Sequence, residues 1–195
     1  MRKFIIGTFT FLAILCFATN SFAAYTYATE ILWTGTNVSG SERQDTDHAL
    51  GAPNGDFLSL DLGGSAAFGF GTPFSGSAIV FEVTNGRDTI VNYLETVNVY
   101  VGNTFSLDPD DYGLVTQITN NVGTSNDSTT IDLTSFGFGG TYNYLLLVDT
   151  TPAVSSPDDG FDVNAVGVNA VPIPAAIWLL GSGIVGLVGF RRFSK

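Results

Sequence analysis

The chain of 195 residues holds one cysteine, Cys16, and one histidine, His48. The cysteine falls in an apolar N-terminal run, so disulfides cannot support the remainder of the chain. Zinc needs several nitrogen or sulfur ligands, and a lone imidazole excludes it. A histidine-based nucleophilic triad has one candidate base, in a polar, turn-like stretch, and neither G-x-S-x-G nor H-E-x-x-H occurs. Cations are also scarce. Of the seven Lys and Arg residues, only Arg43 and Arg87 lie within residues 24–170, which carry all eighteen Asp and Glu residues. A body with a formal charge of −16 repels phosphate backbones, excluding nucleic acid as a partner, and attracts divalent cations. With so many acids some carboxylate pair is always close, so pairing alone is no argument for glycoside hydrolysis. The expectation is a non-catalytic protein.

What the chain does have is two apolar ends. Met1-Arg2-Lys3 precedes the apolar run 4–18 and the small-residue site Ser21-Phe22-Ala23. This reads as a secretory signal peptide, residues 1–23, cleaved between Ala23 and Ala24. Leu15 precedes Cys16 where a lipoprotein signal would carry a small residue, so lipidation is not expected. At the other end Val171-Pro172-Ile173-Pro174-Ala175 opens a run without ionisable residues, closed by Arg191, Arg192 and Lys195. Proline is tolerated in the first helical turn, so a helix over about 174–190 is expected. Its roughly 17 residues span about 26 Å, the short limit for crossing a bilayer. The basic end acts as a membrane stop and stays cytoplasmic by the positive-inside bias. Gly181-Ser182-Gly183-Ile184-Val185-Gly186 matches G-x-G-x-x-G but lies inside the apolar run, with no downstream acid to complete a dinucleotide site. Ser182 and Gly186 form a small-residue pair suited only to weak helix association.

Between the ends, residues 24–170 form one domain, large enough for a core. Short β-like runs recur at 28–33, 58–62, 78–83, 97–101, 114–118, 129–133, 142–148 and 161–168. Turn signals such as Pro53-Asn54-Gly55, Gly63-Gly64, Asn85-Gly86 and Asp108-Pro109-Asp110 separate them. Eight or nine such strands without a helical period predict an all-β protein, an antiparallel β-sandwich, for which jelly-roll topology is plausible.

The C-terminal tail resembles the PEP-CTERM sorting signals of Gram-negative bacteria. It looks closest to a variant with Val-Pro-Leu-Pro-Ala followed by Trp-Leu-x-Gly-Ser-Gly. The matching residues are Val171, Pro172, Pro174, Ala175, Ala176, Trp178, Leu179, Gly181, Ser182 and Gly183. The chain departs in having Pro172-Ile173-Pro174 where the name-giving motif has an acid. The resemblance implies a transient inner-membrane anchor and an exosortase-like processing enzyme cutting near Pro172 to Ala175. It further implies delivery to the cell surface or extracellular matrix, in an exopolysaccharide or biofilm context.

The body resembles a discoidin-type, galactose-binding-like jelly roll. The resembling pieces are the run from Asp47 to Gly55, Leu58-Ser59-Leu60 with Gly63-Gly64-Ser65, Ile79 to Val83, and Gly160 to Val166. That resemblance implies a structural calcium held by Asp45 and Asp47 early and Asp162 late, with Asp158 and Asp159 as weaker candidates. Trp33, Tyr93, Tyr100, Tyr112, Tyr142 and Tyr144 are the aromatics available to stack on a sugar. The first functional expectation is a structural or adhesive matrix protein, calcium-stabilised on this resemblance. The second is a carbohydrate-binding module that takes extracellular polysaccharide, and the third a glycan hydrolase.

Overall fold

The computed structural model describes residues 24–35, 38, 40–83, 94–120, 127–152 and 160–171. The signal peptide 1–23, the tail beyond Val171, Asp158, Asp159, Tyr93 and Arg87 lie outside them. The described residues form nine strands: β1 Tyr25–Tyr27, β2 Glu30–Trp33, β3 Leu58–Ser59, β4 Ser65–Glu82, β5 Thr96–Gly102, β6 Tyr112–Thr119, β7 Asp127–Asp132, β8 Tyr142–Asp149 and β9 Asp162–Ala170. All pairings are antiparallel.

The long strand β4 belongs to two layers. Its first part, Ser65–Gly69, lies between β2 and β8, and the ladder continues through β5 to β6. Its last part, Ser77–Glu82, lies between β7 and β9, whose far edge is shared by β1 and β3. The register breaks between Gly69 and Phe74 and again between Phe74 and Ala78. A strand that changes sheet must bend sharply. Gly71 (φ 66°) and Gly76 (φ 82°) supply backbone angles that a side chain would resist. Pro73 falls within this corner, where the ladder is already interrupted. Phe74 pairs with both Tyr142 and Ala170 and so sits where the layers part.

The predicted sandwich is therefore the fold. Apolar side chains from both layers build the core between them. Val97, Val99 and Val101, Leu145 and Leu147, Phe68, Val80, Val166 and Val168 are buried there. Phe68, Phe74 and Phe161 are its largest fully buried side chains, each contributing about 2–3 kcal/mol through removal of apolar area from water. Two strand expectations needed correction. The leucine alternation 58–62 ends early, because Asp61 (φ 70°) turns the chain into Gly63 (φ 72°). The run 78–83 proves to be only the end of β4, whose glycine-rich first part carries little local strand propensity.

Candidate functional site

Strands β4, β6 and β8 finish, and β5, β7 and β9 start, at one end of the sandwich. The opposite end holds both ends of the described chain: Tyr25 is paired with Asn169, and the Val171 N–H donates to Pro73 O at 3.0 Å. Residues 40–57 fold over the first end as two 3-10 turns, Ser41–Gln44 and Thr46–Ala49, followed by a loop. Asp45 caps the second turn, accepting from the Asp47 N–H at 3.0 Å, and Ala49 plugs the turn into the core. The Asn54 N–H donates to Asn164 Oδ1 of β9 at 3.1 Å, and Asn54 Oδ1 accepts from the Asp56 N–H at 2.8 Å, closing a turn over Gly55.

These turns shape a groove of about 320 Å³ lined by Glu42, Arg43, His48, Gly55, Asp56 and Phe57. Arg43 Nη2 donates to Asp162 Oδ2 at 3.2 Å, and the guanidinium lies 5.2 Å from the centroid of the half-buried Phe57 ring. His48 Nε2 stands 3.8 Å from Asp45 Oδ2. Across Gly55 a second cleft of about 360 Å³ is lined by Asn54, Phe81, Glu82, Asp127 and Asn164, among others. The two clefts share the 53–57 loop as their divide.

Beneath the second cleft lies Glu82, only 3% exposed. Burial pushes its carboxyl up to about 8, helped by the negative charges of Asp162 and Asp127. Neither carboxylate oxygen meets a donor at full hydrogen-bond geometry, and the nearby Asn120 amide offsets only a small part of the shift. Both oxygens are shielded from solvent.

The residues expected to hold calcium are separated by function. Asp45 and Asp47 lie on the exposed cap and first turn of Thr46–Ala49, and Asp162 is buried at the start of β9 against Arg43. A calcium shell needs six to eight converging oxygens. Among the described residues, no three His, Cys, Asp or Glu side chains are grouped so that they could hold a metal ion.

The described aromatics named from sequence lie elsewhere. Trp33 packs against the core with Nε1 buried. Tyr112 OH donates to Ser106 O at 2.9 Å, Tyr144 stacks on Phe105 at 4.9 Å, Tyr142 packs against Phe74 and Phe138, and Tyr100 approaches Asn98. The aromatic in the groove is Phe57, which sequence reasoning missed. Its position between the Asn54-Gly55 turn and the buried Leu58 was the available signal.

No protein-family model and no curated protein sequence matches the chain. Solved structures do. The CBM32 of AlyQ in complex with 4,5-unsaturated mannuronic acid is 13% identical with a TM-score of 0.51, covering 74% of this chain and 97% of that one. The truncated AlyQ with CBM32 and alginate lyase domains gives 0.48 at 13% identity, covering 78% of this chain but only 35% of that longer one. Chitosan-binding module 2 from a chitosanase/glucanase of Paenibacillus sp. IK-5, in complex with chitotriose, gives 0.48 at 13% identity, with coverages of 71% and 93%. At this identity the likeness shows the fold alone: an all-β, antiparallel sandwich of the kind found in carbohydrate-binding modules.

Proposed function

We propose that this protein is a non-catalytic carbohydrate-binding module of galactose-binding-like, jelly-roll type, exported and presented at the cell surface. The groove carries the reading. A pyranose offers an apolar face and a rim of hydroxyls, so it is recognised by a ring with polar groups converging beside it. Phe57, Arg43, His48 and Asp56 line one groove of a volume suited to a sugar unit. This supports the module over the purely structural matrix role that the sequence put first.

A hydrolase fits less well. A glycosidase acid must reach the glycosidic oxygen. Glu82, the described acid whose proton affinity is most raised, has both oxygens shielded from solvent.

The export reading rests on the sequence of the two ends: a signal peptide cleaved after Ala23, and a tail with the processing motif Val171 to Ala175 and the stop at Arg191, Arg192 and Lys195. An exosortase-like enzyme would release the body from the inner membrane. Intact-mass analysis from the native host tests this, and a mature form still ending in Lys195 defeats it.

Glycan-array binding by the full chain, purified in detergent, tests the module. Phe57→Ala should cut affinity about tenfold or more, as loss of a stacking ring does. Silence across the array, or wild-type binding by the variant, sinks the reading.

A further inference from the structure

The two clefts also bear on the charge of the glycan, an inference that rests on the carbohydrate reading above. Glu42 and Asp56 stand exposed on the rim of the groove. Among the described residues lining it, the guanidinium of Arg43 is committed to Asp162 at 3.2 Å, and the imidazole of His48 stands 3.8 Å from Asp45. The cleft across Gly55 is bordered by Asp127, with Glu82 beneath it, and among the described residues no Lys, Arg or His lines it. A glycan crossing the 53–57 loop therefore meets Glu42 and Asp56 on one side and Asp127 on the other, Glu82 being buried and protonated below neutral pH, while the described basic groups there already face acids. The surrounding body adds a field of the same sign, with eighteen acids against two arginines in residues 24–170.

A uronate brings a like charge to each ring. Such juxtaposition costs binding energy and slows encounter. An ammonium group reverses both effects and forms charge-assisted hydrogen bonds to the rim acids. We propose that the glycan this surface takes carries free amino groups, and that polyuronates are excluded from it.

The test uses one oligosaccharide backbone in three forms: N-acetylated and neutral, de-N-acetylated, and oxidised to the uronate. Binding to the full chain in detergent is measured below about pH 7, where an amine is protonated. The amine form should bind about tenfold more tightly than the uronate. That gap should shrink as salt rises from about 0.05 to 0.5 M, because screening shortens the reach of exposed charges. The double variant Glu42→Gln, Asp56→Asn, at two exposed positions, should bring the gap below about threefold. Equal or tighter uronate binding overturns the proposal, as does a gap indifferent to both salt and variant. The salt series on the wild type decides even if the variant does not fold. Failure of all three forms, and of the wider array, would instead defeat the carbohydrate reading itself, and this proposal with it.

Discussion

Arg43 and Asp162 join two distant parts of the chain: the guanidinium of the first 3-10 turn donates at 3.2 Å to the carboxylate that opens β9. The same guanidinium lies over Phe57, so a buried acid orients a groove residue. Arg43→Lys keeps the charge but loses the planar fork and the stacking surface. Glycan affinity should fall about tenfold, while the melting temperature drops by no more than about 3 °C. Arg43→Ala leaves Asp162 buried without its guanidinium and should lower stability by about 3 kcal/mol or more. Calorimetry and binding on the two variants separate these effects.

Glu82 makes stability depend on pH with an unusual sign. Its carboxyl rises from 4.5 in the unfolded chain to about 8 in the fold. The folded state therefore holds a proton that the unfolded state has lost between those values. Its stabilising contribution is complete below about pH 4.5 and lost as pH rises through about 8. The slope approaches 1.4 kcal/mol per pH unit within that window. Glu82→Gln keeps the shape without the titration. The difference between wild-type and variant unfolding free energies, followed by urea melts from about pH 5 to 9, should show the wild type losing ground steadily. A flat difference would contradict this.

Asp149 is the polar anchor of the loop end. It is 3% exposed, and its Oδ2 accepts from the Gly63 N–H at 2.9 Å and the Thr151 N–H at 3.2 Å. Its Oδ1 accepts from Thr151 Oγ1 at 2.6 Å and the Phe161 N–H at 3.0 Å. Asp149→Asn turns an amide toward these donors and should cost about 3 kcal/mol or more in urea unfolding.

Gly160 has no room for a methyl group, since a Cβ there would lie 2.3 Å from Asp61 O and 2.8 Å from Asp149 Cγ. Gly160→Ala should destabilise by about 1–3 kcal/mol, read as a shift in urea midpoint at unchanged slope.

Much of this architecture was legible in advance. The alternation in β5 and the turn dipeptides between runs pointed to an antiparallel sandwich, since a period-two pattern needs no tertiary information. The corner in β4 was not legible: Ser65 to Gly76 is rich in glycine, and its place in two sheets comes from pairing with distant strands. The groove was half legible. The stretch Asp47 to Gly55 drew attention, but sequence does not show that Arg43 reaches across 119 residues to Asp162 and so brings Phe57 into the groove. Glu82 was hidden for a related reason: a charge ending an apolar strand reads as a boundary, whereas here it lies under a loop.

The placement of β9 has a mechanical consequence. It runs from Asp162, beside the groove, to Ala170, at the end where the chain leaves toward the tail. A ligand held in the groove and a tether beyond Val171 would pull along the axis of this one strand, about 30 Å long. Because β9 is hydrogen-bonded to β4 on one side and to β1 and β3 on the other, that load falls on several ladders at once in shear. Bonds strained together share the force, so a body built this way resists tension better than one whose strands peel open in turn.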